Sequence, residues 1–309
     1  MSSSDPFSAS ENQNAPCSGG VHLHSHSRPL SSDAPLYVLP HPDPDTNMTE
    51  ELEVLRKALI DARALIGDVG GVRRKDTVAG VYDAVTDIDV AVERKVIGAI
   101  RSAFPEDAII AEESSPDAIV EGRTWVLDPI DGTVNMTRGI PLYGMQGVFM
   151  RDGVPEASAI LLPESDEIFT ASSEGAFLDD DPIHVAEPRP LKECILTTGD
   201  FSRRSQDYRR MQALLLSECR DCVARFKMFG AACIDFAYLA CGRTDIHVRF
   251  VNKIWDFMPG LYLAEKAGAV YDRDLLEETG ILILCSSEEV LDEALNEILP
   301  RISHSSSRR

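Results

Sequence analysis

Trp125-Val126-Leu127-Asp128-Pro129-Ile130-Asp131-Gly132-Thr133 is the stretch on which the reading of this chain turns. Its apolar start, Trp125 to Leu127, predicts a buried strand whose end delivers the acids Asp128 and Asp131. Gly132 and Thr133 follow, and a glycine beside a helix start lets backbone N–H groups and the helix dipole meet an anion such as phosphate. Two other stretches have the same form. Ala108-Ile109-Ile110 predicts a strand running into Ala111-Glu112-Glu113-Ser114, and a strand over Asp245 to Val248 precedes a helix opened by Trp255-Asp256. Any one of these acids alone reads most simply as a helix cap or a solvated loop residue. Three such sites together point to convergence in one cleft.

Convergence has an electrostatic consequence. Two like charges about 4 Å apart cost roughly 1 kcal/mol in water and about 4 kcal/mol at an effective dielectric of 20. A cleft gathering Glu112, Asp128, Asp131 and Asp256 must therefore take up protons or hold cations. Oxygen ligands without His or Cys favour hard ions, and Mg²⁺ suits a few carboxylates plus waters and a substrate phosphate. Carboxylates holding Mg²⁺ beside a phosphate cradle imply metal-assisted phosphoryl transfer to water.

Outward from this stretch the pattern is that of a globular α/β chain. Of 309 residues 44% are hydrophobic and 26% charged, which excludes a disordered, collagen-like or rod-like protein. Residues 1–46, rich in Ser, Pro, Asp and His, and 303–309 read as loose tails. Asn47 and Glu50 predict the cap of a helix carrying Leu52, Leu55, Leu59, Ala62 and Ile66, stopped by Gly70-Gly71. A second helix carries Val92, Val96 and Ile100 and ends at Pro105. Short β-like runs between Leu142 and Phe177 predict a meandering sheet. Beyond Ile183, strands at Ile195–Thr197, Asp245–Val248 and Ile281–Leu284 alternate with helices at Ala231–Leu239, Phe257–Ala267 and Glu288–Leu299. The expected organisation is an α+β metal-binding half over 47–182 and an α/β half over 183–302.

Charge and composition narrow the partners. A net charge of −21 repels DNA and acidic membranes, so neither nucleic acid nor membrane is expected as a partner. No apolar run approaches the roughly 20 residues of a spanning helix, no secretory signal is visible at Met1–Ser10, and seven scattered cysteines suit a reducing cytoplasm. Cys219 and Cys222 form a CxxC read as two thiols inside a helical run, not as a redox or zinc site. His22, His24 and His26 sit in the loose N-terminal stretch, and only His184 and His247 fall in the presumed folded part. Histidine general-base chemistry thus has few candidates.

At this point the residues resemble a known family. Asp128-Pro129-Ile130-Asp131-Gly132-Thr133 is similar to the first signature of the inositol monophosphatase superfamily, the lithium-sensitive, Mg²⁺-dependent phosphatases. Asp83-Ala84-Val85-Thr86-Asp87-Ile88-Asp89 and Ala111-Glu112-Glu113-Ser114 precede it in that family's order, and Trp255-Asp256 with Ala267-Gly268 resembles its second signature. The likeness covers roughly residues 50 to 300. It implies an α/β fold, a layered αβαβα sandwich, in a cytoplasmic homodimer acting on a small phosphorylated metabolite. It also implies two to three Mg²⁺ ions per site. Glu112, Asp128 and the Ile130 carbonyl would hold the first, Asp128, Asp131 and Asp256 the second, and Glu112 would share a looser third. The attacking water would be bonded to Thr133 and oriented by Asp83 in preference to Asp89, with Glu113 nearby as a ligand or support. Gly132 and Thr133 would meet the phosphate, and Gly230, Ala231 and Ala232 would line the substrate pocket with Asp131 and Asp256. A scaffold built on this fold would be expected to lose one of these groups, and all are present.

Three departures matter. Ala111 stands where a glycine is common, a small change. Pro259 follows Asp256 closely, and since proline is tolerated in a first helical turn, the helix should begin near Asp256. Arg249 stands where inositol-type members carry an acid. Its guanidinium would suit a second anionic group, as in fructose 1,6-bisphosphate, a 3′,5′-nucleotide bisphosphate or NADP, or it pairs with one of the chain's many acids. Histidinol phosphate is a further alternative to inositol phosphate. Asp235 and Asp245 read as helix-face and turn acids, not ligands.

Overall fold

The computed structural model describes residues 49–66, 73–74, 84–85, 87–116, 120–201, 205–251 and 253–303. In chain order, a short antiparallel pair, β1 (Arg73–Arg74) with β2 (Ala84–Val85), precedes a seven-stranded sheet. Its spatial order is β3 (Ala108–Ala111), β4 (Arg123–Asp131), β5 (Gly144–Arg151), β6 (Val154–Leu162), β7 (Glu167–Ser172), β8 (Gly175–Leu178) and β9 (Asp181–Pro182). Strand β3 runs parallel to β4, and the later neighbours are antiparallel.

Central strands of this sheet are apolar on both faces because helices cover both. Alternation decides which residue goes where. Trp125, Leu127 and Phe149 pack with Leu55 and Leu59 of α1 (Glu50–Arg63) and with Val92, Val96 and Ile100 of α2 (Asp87–Ala103). Val126, Val148 and Ile160 face the other way, onto Phe236 of α5 (Ala232–Ala240) and Leu261 of α6 (Ile254–Lys266). Leu282 and Leu284 join this second cluster from a smaller sheet, ordered β11 (Arg225–Lys227), β10 (Ile195–Thr198), β12 (Ile246–Phe250), β14 (Ile281–Cys285) and β13 (Val270–Tyr271). Ile281 and Ile283 point to the opposite side, onto Leu215 of α4 (Gln206–Glu218), Val290 of α8 (Glu288–Glu297) and Ile302 of α9 (Leu299–Ser303). The layers therefore run helix, sheet, helix, sheet, helix. Two short helices, α3 (Thr133–Thr137) and α7 (Arg273–Thr279), complete the described helices.

The structure corrects the sequence reading at several ends. Helix α1 stops at Arg63, ahead of Gly70-Gly71, which like Asn47 and the N-terminal histidines lie outside the described residues; its N-cap is Thr49, which makes no side-chain cap bond. Helix α9 runs on through Ser303. Cys219 and Cys222 are not inside a helix: α4 ends at Glu218, Cys219 caps it, and the Cys222 N–H bonds the Cys219 carbonyl at 2.9 Å. The chain must turn here, because the Ala224 N–H bonds the Cys194 carbonyl at 2.9 Å as β11 begins. Burial pushes the Cys219 thiol up to about 12, which leaves it a poor nucleophile.

Helix α6 begins at Ile254, so Pro259 lies in its second turn and not its first. A proline there cannot donate to the Trp255 carbonyl four residues back. Gln146 replaces the missing donor: this fully buried side chain on β5 gives its Nε2–H to the Trp255 carbonyl at 3.0 Å. Gln146→Leu is expected to lower stability by about 1–3 kcal/mol in urea titrations, the cost of orphaning a buried acceptor. Adding Pro259→Ala to that variant should recover part of the loss, since the backbone then supplies its own N–H.

Candidate active site

Residues three apart on a regular strand point to opposite faces, so Asp128 and Asp131 should diverge. A bulge brings them together. Asp128 pairs with Gln146 and Asp131 with Gly144, so three steps on β4 match two on β5. Pro129, which has no N–H to give to the ladder, lies within this irregular stretch. Gly132 then turns with φ +91°, a left-handed conformation in which a Cβ would sit 2.9 Å from that of Ala231. Gly230 also has a positive φ, +77°, and packs against Asn135, whose Nδ2 donates to the Leu142 and Phe229 carbonyls at 2.7 and 2.8 Å. This ties the Asp131–Gly132 turn to the start of α5.

The remaining acids arrive from other elements. Glu112 follows β3 in a turn held by Ser115, whose Oγ accepts from the Ala111 N–H at 3.1 Å and donates to the Ile109 carbonyl at 2.9 Å. Glu113 does not line the pocket, and its N–H donates to Glu93 Oε2 of α2 at 2.9 Å. Asp256 lies in the first turn of α6. Glu112, Asp128, Ile130, Asp131, Gly132, Thr133, Gly230, Ala231, Ala232, Arg249 and Asp256 all line one cavity of about 290 Å³. Neither His184 nor His247 is among its lining residues. Asp235 lies fully buried in the first turn of α5, and Asp245 Oδ2 accepts from the Ile195 N–H at 2.7 Å, so neither enters the cavity.

Thr133 Oγ1 lies 2.8 Å from Asp89 Oδ1 and 2.9 Å from the Ile130 carbonyl. Asp89 sits in the first turn of α2 and is 1% exposed. Asp83 lies outside the described residues. A signal that could have found Asp89 is its spacing: three residues before Val92 and seven before Val96, it falls on the buried face of α2. Thr133→Val should lower kcat for phosphate release roughly 100-fold, whereas Thr133→Ser keeps the hydroxyl and most of the rate. Steady-state kinetics on the two variants checks this.

Electrostatics mark the cluster as strained. Burial, then the charges of Glu112, Asp131, Asp256 and Asp89, push Asp128 well above the usual carboxylate range. Burial and Asp256 raise Asp131 to about 6, although the Cys233 N–H donates to its Oδ2 at 2.5 Å and Arg249 opposes the shift. Asp256 Oδ2 is met by Arg249 Nη2 at 3.3 Å. Among the described residues no three acid, His or Cys side chains are already closed around one point. The donor set nonetheless fits hard cations: Asp128 Oδ1 is buried with no hydrogen-bond partner, and Glu112, Asp128, Asp131 and Asp256 line the cavity together with Ile130.

Comparison with known proteins bears on the same residues. The inositol monophosphatase family profile matches residues 45–304. The Nus factor SuhB of Pasteurella multocida is 31% identical over 75% of this chain and 90% of its own length. The fructose-1,6-bisphosphatase/inositol-1-monophosphatase of Thermotoga maritima is 30% identical over 66% and 75%. The crystal structure of the extragenic suppressor protein SuhB from Bartonella henselae superposes with a TM-score of 0.70 at 25% identity, covering 79% of this chain and 97% of that one. The five layers, the acid-lined cavity and a match running through every element described place the chain in the inositol monophosphatase family.

Proposed function

We propose that the protein is a Mg²⁺-dependent hydrolase of phosphomonoesters, acting on a sugar or polyol monophosphate. The observation that carries this reading is the buried, partnerless Asp128 oxygen beside the Thr133–Asp89 pair, in a cavity lined by carboxylates with no His or Cys among its described lining residues. Glu112, Asp128, Asp131, Asp256 and the Ile130 carbonyl would hold the ions. Bound there, such ions lower the pKa of water and neutralise a departing alkoxide. Thr133 commits its only proton to Asp89 or to the Ile130 carbonyl, so its oxygen is left to accept a hydrogen bond from the attacking water. Asp89 fixes that hydroxyl, and Thr133 aims the water at phosphorus. Helix α3 is only five residues long, so the backbone N–H groups of Gly132 and Thr133, more than a helix dipole, would receive the phosphate oxygens. Ala231 and Ala232 leave room for the leaving group. Lithium sensitivity and a homodimeric state are part of the proposal.

Arg249 and Lys253 favour a second reading, in which the substrate carries another anionic group, since both cations line the same cavity. A phosphate-release panel of inositol 1-phosphate, histidinol phosphate, fructose 1,6-bisphosphate, adenosine 3′,5′-bisphosphate and NADP separates the two. The first reading expects inositol 1-phosphate to lead, and the second expects a bisphosphate to lead and to lose its advantage in Arg249→Glu. One relative is named a Nus factor, and silence across the whole panel would favour a non-catalytic role.

A further inference from the structure

We propose that Arg249 is the resident counter-ion of Asp256, competing for its carboxylate with the divalent ion that Asp128, Asp131 and Asp256 would share. This rests on the ion-holding reading above. Arg249 lies on β12 with its backbone paired to Leu282 of β14, so its Cα is fixed and only the side chain can respond. Its Nη2 meets Asp256 Oδ2 at 3.3 Å, with the two side chains 14% and 28% exposed. Its Nε is buried with no hydrogen-bond partner, and a Cβ added at Gly199 would sit 3.4 Å from Nη1.

A guanidinium has five N–H donors in a planar fork and stays charged at any working pH. The guanidinium is ion-paired to Asp256 and its Nε has no hydrogen-bond partner, while the carboxylates of buried Asp235 and of Asp131 act on it through their charge. An ion on Asp256 would place like charges a few ångströms apart, so either the guanidinium swings away or the ion binds weakly. The coupling is reciprocal: whatever draws the guanidinium off Asp256 strengthens the ion. An anionic group on the incoming ligand can do so through a bidentate pair. Glu112 lies outside the Arg249–Asp256 contact, so an ion held by Glu112 and Asp128 would feel Arg249 through space alone and less strongly.

The test is Mn²⁺ binding in the absence of phosphate, with free ion read by electron paramagnetic resonance in equilibrium dialysis. Wild type, R249M, R249K and K253M are compared. Lys253 is the control, since its Nζ lies 5.0 Å from the Trp255 ring centroid in the same cavity and it adds the same charge. R249M should tighten the weaker class of Mn²⁺ sites by about tenfold or more. R249K, which keeps the charge but not the fork, should tighten it less, by about threefold, and K253M should change it by less than that. Equal affinity in wild type and R249M overturns the proposal, as does a K253M effect as large as that of R249M. Should R249M not fold, R249K decides, and an affinity unchanged from wild type overturns it. A wild-type protein that binds no Mn²⁺ at millimolar concentration overturns the phosphatase reading itself.

Discussion

Asp128→Asn is expected to abolish phosphate release while leaving the ion-free protein at least as stable as the parent. The carboxylate is 2% exposed, one oxygen has no hydrogen-bond partner, and burial, then the charges of four neighbouring acids, push its pKa up. In the absence of cations its charge therefore opposes folding, and a neutral isostere removes that opposition. An increase in Tm of about 2–4 °C for each kcal/mol relieved is expected by calorimetry. Activity should move the other way by more than about 100-fold, beyond what loss of an outer partner of a metal ligand costs. A destabilised, aggregating variant would mean that Asp128 serves the core and not the cavity.

The second large effect concerns pH and ions together. Asp131 titrates at about 6 in the folded protein against an ordinary carboxylate value of 3.8, and Asp128 is raised as well. Between about pH 4 and 7 the folded state thus binds more protons than the unfolded chain, so this cluster removes stability as pH rises. For Asp131 the loss is on the order of 2–3 kcal/mol once pH passes its folded value. His247 acts in the opposite sense: burial lowers it to about 3, so it costs stability as pH falls below its unfolded value. Asp235, raised by burial, adds to the loss at high pH. Neither lines the cavity, so a comparison with and without Mg²⁺ removes the larger part of both, which is their burial. The Mg²⁺-induced rise in Tm should be small at pH 5, where ions must displace protons, and grow by pH 7.5. Saturation at about 100 times Kd corresponds to roughly 2.7 kcal/mol. A rise that is independent of pH would show that the ions bind elsewhere.

How much of this was legible in the sequence depended on whether a residue's role is local. Asp128, Asp131 and Glu112 follow short apolar runs, so their position at strand ends could be read directly, and the structure places all three on one cavity. The bulge that turns Asp128 and Asp131 the same way has only Pro129 as its local trace, because a register shift belongs to the pair of strands. The family resemblance favoured Asp83 over Asp89 for the water; Asp83 lies outside the described residues, whereas the Thr133 hydroxyl donates to Asp89, a contact that requires knowing where α2 begins. Pro259 suggested a helix start near Asp256, and Asp256 does lie in the first turn of α6, which begins at Ile254. The proline is accommodated in the second turn because Gln146, 113 positions before it, supplies the missing donor, and no local pattern carries that. Arg249 read either as a substrate contact or as the partner of some acid. Its partner is Asp256, one of the proposed ion ligands.

The most direct test of the central claim, that these acids gather to hold the cations that drive hydrolysis, is phosphate release from the best substrate of the panel, first in EDTA and then after excess Mg²⁺ is restored. The account predicts no release in chelator, full recovery with Mg²⁺, and none at any Mg²⁺ concentration for Asp128→Asn. Undiminished release in chelator would contradict it.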